Sequence, residues 1–223
     1  MIVTNAAQGT TEWVRARLGI PTASQYHRIM TPKKRQYAAG ASTYRNELLA
    51  EWLLGRPLED GSSGWMDRGT EMEAEARRWY AFDRDVEVVE CGFVLRDDSA
   101  TGGSPDGLVS TDGGVEIKVP AAKTHVGYLL DPKSLVEEYG SQVQGYMYLT
   151  GRQWFDVVSY NPVLPSVVER VERDDVHCQA LELVLASFTA DLDECKERLA
   201  QHRVTPPSLE QIIEDYRRFA GTL

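Results

Sequence analysis

Apolar and polar positions repeat with two different periods along this chain. The first third carries helical spacing and the middle carries strand spacing. A short helix is predicted over 11–19, opened by Thr11 and stopped by Gly19. A second starts at Thr22-Ala23-Ser24 and runs to Met30. A stronger one covers 44–54, with Leu48, Leu49, Trp52 and Leu53 on one stripe, and another covers 65–82. Strands are then expected over 86–95, 103–110 and 114–119, with Thr111-Asp112-Gly113-Gly114 as the tight turn between the last two. A helix over 134–149 follows. Strands over 154–160 and 167–171 are separated by Asn161-Pro162 and Pro165, and helices over 174–199 and 208–219 finish the pattern. The expected fold class is α/β (α+β), a central mixed β-sheet flanked by helices.

The chain has 223 residues, the size of one sizeable domain. No repeat or low-complexity tract divides it, and the Gly/Pro/Ser-containing stretch 55–64 reads as a loop. A single domain over 1–223 is expected, with its core over 12–172 and C-terminal helices over 174–220.

Candidate chemistry concentrates in Gly103-Ser104-Pro105-Asp106-Gly107 and Val115-Glu116-Ile117-Lys118. Residues alternate faces along a strand, so Glu116 and Lys118 share one face. With the turn centred near Asp112, Asp106 falls opposite Lys118 and diagonal to Glu116, about 7–8 Å apart at the backbone. Two carboxylates so placed suit a hard divalent cation, which takes carboxylate and carbonyl oxygens and keeps waters. A lysine beside them can orient or deprotonate a nucleophilic water. Pro105 stiffens the approach to Asp106, and Gly107 removes bulk where a phosphate would come close. Glu-x-Lys alone is common on solvated strands; its pairing with Ser-Pro-Asp-Gly inside apolar Val115, Ile117 and Val119 points to metal-dependent phosphodiester chemistry.

Charge and cysteines narrow the setting. A formal charge of -10 argues against indiscriminate coating of nucleic acid, which Lys and Arg drive, but acidic metal ligands are part of that count. Lys33-Lys34-Arg35 is the one compact basic run and reads either as a solvated loop or as a phosphate-contacting arm. Cys91, Cys178 and Cys195 form no CxxC pair, so no zinc site, iron–sulfur site or disulfide framework is indicated. His27, His125, His177 and His202 show no ligand spacing. No apolar run suits a membrane span and the N-terminus lacks a signal-peptide pattern, so a cytoplasmic protein is expected.

Pro105-Asp106 with Glu116-Ile117-Lys118 resembles the PD-(D/E)xK nuclease motif. Four blocks make the resemblance specific. They are 13–24 ending in Arg17-Leu18-Gly19-Ile20-Pro21-Thr22-Ala23-Ser24, Arg68-Gly69-Thr70-Glu71-Met72-Glu73-Ala74-Glu75-Ala76-Arg77, the hairpin 103–120, and Tyr139-Gly140-Ser141-Gln142-Val143-Gln144-Gly145-Tyr146. In this order they are similar to the lambda-exonuclease-type (YqaJ-type) viral recombination exonucleases, over 12–160.

The resemblance implies a restriction-endonuclease-like core and a 5′→3′ exonuclease acting on linear double-stranded DNA. It implies release of mononucleotides, a 3′ single-stranded overhang, two Mg²⁺ ions with Mn²⁺ able to substitute, a ring-shaped homotrimer and a single-strand annealing protein as partner. A phage or prophage origin and the cytoplasm of a bacterial host go with it. Residue by residue, it implies Asp106, Glu116 and the Ile117 carbonyl as metal ligands, Lys118 beside the attacking water, Glu73 completing the acidic set and Gln142 near the lysine. Without the resemblance, Glu71, Glu73 and Glu75 read as a solvated helix face. Arg17 and Ser24 match positions that handle a 5′ phosphate, to which Ser104 adds a hydroxyl, although Ser24 equally suits an ordinary helix cap. Lys33, Lys34 and Arg35 are expected on DNA phosphates, and Trp65 is either a wedge at the DNA end or a core residue. Two alternatives stay open: an endonuclease of the same superfamily, of restriction or resolvase type, and a non-catalytic DNA-end or partner-binding module.

Overall fold

The computed structural model describes residues 2–3, 10–58, 64–98, 100–208 and 210–211, with side chains of the helix beginning at Gly64 described from Met72 onward. A short strand, β1 (Ile2–Val3), precedes α1 (Thr11–Arg17), whose start is capped by the Thr10 hydroxyl accepting from the Trp13 N–H. A 3-10 helix (Ala23–Arg28), α2 (Ala41–Leu54) and α3 (Gly64–Arg84) come next. The strands β2 (Val88–Val89), β3 (Val94–Leu95), β4 (Gly102–Gly103), β5 (Gly107–Val109) and β6 (Gly113–Lys118) form the middle. Helices α4 (Ala122–Leu130) and α5 (Lys133–Thr150) carry the chain to β7 (Trp154–Ser159), β8 (Val167–Glu172) and α6 (Asp175–Gln201).

The main sheet is mixed, in the order β2-β5-β6-β7-β8; only β6 and β7 run parallel. A parallel pair needs a long crossover, and α4 with α5 supplies it. A smaller antiparallel sheet has the order β1-β3-β4. Alternation along the strands sorts the two faces of the main sheet. Val115, Ile117 and Val158 join Ala76 and Tyr80 of α3 in one cluster. Phe155 and Val157 join Val143, Tyr146 and Met147 of α5 and Leu181, Leu185 and Phe188 of α6 in the other. Gly114 lies under the Phe155 ring, where a Cβ would come within 2.3 Å of it. Helix α3 is fastened by the Tyr80 hydroxyl, which donates to Asp156 at 2.7 Å, and by Tyr160, which donates to Glu75 at 2.7 Å.

The predicted fold class holds: a central mixed sheet flanked by helices. Several predicted elements divide. The strand expected over 86–95 becomes β2 and β3, which belong to different sheets. The strand expected over 103–110 is interrupted at Ser104-Pro105-Asp106, because Pro105 has no N–H for a ladder. The segment after Thr22 folds as a 3-10 helix rather than an α-helix. Helix α4 and strand β1 have no counterpart in the sequence reading. Of the helix expected over 208–219, only Glu210 and Gln211 lie among the described helical residues. Trp65 lies outside the described side chains, as do Arg68 and Glu71. No helix among the described residues is long and apolar enough to cross a membrane.

The hairpin register is corrected by two places. Gly107 pairs with Val115 and Val109 with Gly113, so the loop is centred on Thr111 rather than Asp112. The Asp112 carbonyl accepts from the N–H groups of Gln153 and Trp154, while Ser110 takes a positive φ of 50°. The Arg152 guanidinium binds the carbonyls of Val109, Ser110 and Gly113 at 3.0, 3.0 and 2.6 Å. Extended by one step, this register sets Asp106 opposite Glu116 instead of Lys118. A two-place shift preserves the faces, so the polar set stays together.

Candidate active site

The site forms just before the start of β5, where β6 runs on past it and stays paired with β7 alone. Asp106 is 8% exposed, and its Oδ2 accepts from the Ile117 N–H at 2.6 Å. A carboxylate thus takes the backbone donor that a longer β5 would have used. The Ile117 carbonyl points to the same side, since both backbone groups of a strand residue face one neighbour. Pro105, at the next pairing position, has no N–H to return to it.

Glu116 is 2% exposed. Its Oε1 accepts from Lys118 Nζ at 2.6 Å and from Gln142 Nε2 at 2.5 Å. Its Oε2 is buried without a hydrogen-bond partner in the described structure. Such an orphaned acceptor is costly unless a cation or water meets it. The Lys118 ammonium also lies 4.7 Å from the centre of the Tyr139 ring. The same Gln142 nitrogen is also held by Tyr146, whose hydroxyl accepts from Nε2 at 2.7 Å and donates to the Ser104 carbonyl at 3.1 Å. Helix α3 brings Glu73, whose Oε1 pairs with Arg77 at 2.7 Å.

Crowding of acids in this corner disfavours ionisation of Asp106 and Glu73. Burial, then the charges of Glu116 and Glu73, push the Asp106 carboxyl well above its ordinary range. Burial also raises Glu73, with Glu116 adding to the shift and Arg77 opposing it. Burial works against the charge on Lys118, but Glu116, Asp106 and Glu73 outweigh it and hold the ammonium above its ordinary pKa.

This donor set fits a divalent cation. Asp106 and Glu116 offer a carboxylate pair, Glu116 has an unmet oxygen, and the Ile117 carbonyl faces the same side. Among the described residues, no three His, Cys, Asp or Glu side chains stand close enough to hold an ion by themselves. Backbone oxygen and retained waters would complete the shell, as Mg²⁺ prefers.

A family model for the YqaJ-like viral recombinase domain matches residues 12–153. The chain belongs to this family. Among solved structures, the alkaline exonuclease LHK-Exo from Laribacter hongkongensis is 36% identical with a TM-score of 0.76, covering 87% of this chain and 98% of that one. LHK-Exo in complex with dAMP matches at 37% identity and a TM-score of 0.77, over 87% of this chain and 98% of that one. A phage related exonuclease from Haemophilus somnus 129PT shares the fold, at 15% identity and a TM-score of 0.66 over 81% of this chain and 96% of that one. A search of curated proteins gives no match.

The residues expected on DNA by this viral-recombinase resemblance separate into two groups. Arg17 and Ser104 meet through Trp13. The Arg17 guanidinium lies 4.4 Å from the centre of the Trp13 ring, and the Trp13 indole N–H donates to Ser104 Oγ at 3.1 Å. Ser24 sits in the 3-10 helix beside Thr22, with their hydroxyls 3.5 Å apart. Lys33 and Lys34 are exposed. Arg35 differs: it pairs with Asp174 at 2.5 Å, and that carboxylate caps α6 by accepting from the His177 N–H. Gln144, given no role by sequence, has a packing one, donating to the Glu172 carbonyl and accepting from the Asp174 N–H.

Trp13, Arg77 and Tyr146 carry contacts that no sequence motif announces. Each lies four residues along a helix from an expected site residue: Arg17, Glu73 and Gln142. Neighbours at that spacing touch, so the helical step itself was the available signal.

Proposed function

We propose that this protein digests one strand of linear double-stranded DNA in the 5′→3′ direction, releasing mononucleotides and leaving 3′ single-stranded overhangs for annealing recombination. That it is a DNA exonuclease follows from its family and from its likeness to alkaline exonucleases. The observation that carries the catalytic reading is the buried Glu116 carboxylate: Lys118 and Gln142 hold one oxygen, and the other is unmet beside Asp106. Bound Mg²⁺, two ions in this reading with Mn²⁺ able to substitute, would supply charge for the attacking and leaving oxygens. Asp106, Glu116 and the Ile117 carbonyl would hold it, with Glu73 completing the acidic set. Lys118 orients the attacking water, and Gln142 keeps the Glu116 carboxylate turned toward the lysine. Arg17, Ser104 and Ser24 anchor the 5′ phosphate, and Lys33 and Lys34 follow the backbone. Arg35 supports that loop through Asp174.

The same reading takes in a homotrimer around DNA, a single-strand annealing protein as partner, and the cytoplasm of a bacterial host carrying a phage or prophage. The complex of LHK-Exo with dAMP, a deoxynucleoside monophosphate, accords with mononucleotide release. The test is digestion of a linear duplex with 5′ phosphates and of the same DNA as a closed circle, both with Mg²⁺. Conversion of the linear form to mononucleotides and a residual strand, with the circle intact, is expected. Cutting of the circle would make the protein an endonuclease.

A further inference from the structure

We propose that Arg77 is the positioning residue of the acidic site, a clasp that fixes the Glu73 carboxylate of α3 against the main chain at Asp106. Each nitrogen of its guanidinium has a separate partner. Nε donates to the Asp106 carbonyl at 2.9 Å, Nη2 pairs with Glu73 Oε1 at 2.7 Å and Nη1 pairs with Glu90 Oε1 at 2.6 Å. The side chain is 14% exposed and Glu73 is 20% exposed, so both contacts are shielded from water; Glu90 is 74% exposed. One planar group therefore joins the helix that brings Glu73 to the bend that brings Asp106. These residues are 33 positions apart and their elements share no backbone hydrogen bonding, so nothing else in the described contacts ties the two together directly.

The geometry needs arginine. Three donors leave a rigid fork in three fixed directions, whereas an ammonium is a single point at the end of a flexible stem. A lysine at this position keeps the charge and cannot span both Glu73 and the Asp106 carbonyl. The helix does not depend on Arg77 for its docking, because Tyr80 and Glu75 fasten it to Asp156 and Tyr160. Loss of the fork therefore loosens the relation between two carboxylates while the fold stays in place.

This inference rests on reading Asp106, Glu73 and Glu116 as the catalytic set. Its test compares the wild type, Arg77→Lys, Arg77→Gln and Glu90→Gln, each first shown folded by thermal melting. Three quantities are read: single-turnover digestion of a linear duplex in Mg²⁺, affinity for the same DNA without metal, and titration of the protein alone with Mn²⁺. Outer contacts that orient ligands typically contribute 10–100-fold, so Arg77→Lys is expected to lower the digestion rate and the Mn²⁺ affinity by roughly that factor. DNA affinity without metal should be unchanged, Arg77→Gln should behave like Arg77→Lys, and Glu90→Gln should match the wild type. Wild-type rate and Mn²⁺ affinity in Arg77→Lys would overturn the clasp. So would a Glu90→Gln loss equal to that of Arg77→Lys, a loss confined to DNA affinity, or failure of both Arg77 variants to fold. A wild type that leaves linear DNA intact would instead sink the exonuclease reading, and the Mn²⁺ titration would still decide the role of Arg77.

Discussion

Lys118 Nζ lies 2.6 Å from Glu116 Oε1, two residues away on the same strand. The period of two puts both side chains on one face, and burial of Glu116 makes the contact close and dry. The acids around it hold its ammonium, a hydrogen-bond donor, above its ordinary pKa. Lys118→Ala removes that donor and leaves Glu116 with Gln142 alone. Turnover of linear DNA is expected to fall by roughly 10²–10⁴-fold, the range of a positioned proton-handling group, with DNA affinity preserved. Near-normal rates in this variant would remove Lys118 from the mechanism.

The raised carboxyls give a pH signature that a divalent cation should erase. Asp106 and Glu73 have folded pKa values above their unfolded ones, about 3.9 and 4.3. The native state then holds more protons than the unfolded state in the window above those values, so stability falls as pH rises through the folded pKa. Below that window the penalty is absent. A cation at the carboxylates favours their ionised form and cancels the penalty. With EDTA, the Tm is expected to fall as the pH rises above the ordinary carboxylate range. Mg²⁺ is expected to raise it, more at the higher pH, by roughly 2–4 °C per kcal/mol for a chain of this size. A difference between Mg²⁺ and EDTA that does not grow with pH would count against a metal at Asp106.

How far the sequence carried this picture depended on the range of the signal. Asp106, Glu116 and Lys118 were legible because they sit within one hairpin whose alternation and turn residues are local. The partner positions were two places out, because the loop is set by Arg152 and by the Asp112 carbonyl, both tied to the start of β7. Helix α4 escaped notice because it lacks a side-chain cap and carries Gly127 in its middle. The division of 86–95 between two sheets depends on partners outside the segment, β5 for one half and β1 with β4 for the other.

Tyr146 offers a substitution that separates catalysis from packing. Its ring belongs to the core beside Phe155, with centroids 5.6 Å apart, while its hydroxyl reaches Gln142 and the Ser104 carbonyl. Tyr146→Phe keeps the ring and drops both hydrogen bonds. Stability is expected to fall by about 1–3 kcal/mol, because buried polar groups are left unpaired. The digestion rate should fall as Gln142 loses its second anchor, and Gln142→Ala should reproduce that fall. A rate loss in Gln142→Ala with none in Tyr146→Phe would show that the tyrosine serves packing alone.

Trp13 tests the end-recognition reading most directly, because it joins two expected phosphate contacts that are 87 residues apart. Its ring carries the Arg17 guanidinium, and its N–H holds Ser104 Oγ as an acceptor, which leaves the serine hydrogen available to a phosphate oxygen. Trp13→Phe keeps an aromatic face for Arg17 and removes the N–H. The serine hydroxyl is then free to rotate, and recognition of a terminal phosphate should weaken more than general DNA binding. Two linear duplexes that differ only in a 5′ phosphate or a 5′ hydroxyl give the measurement. The wild type should digest the phosphorylated end faster, Trp13→Phe should narrow that ratio, and Arg17→Ala should narrow it further by removing a charge-assisted contact of about 1.5–3 kcal/mol. Equal losses on both substrates would mean that Trp13 supports the fold of this corner and does not report the end of the DNA.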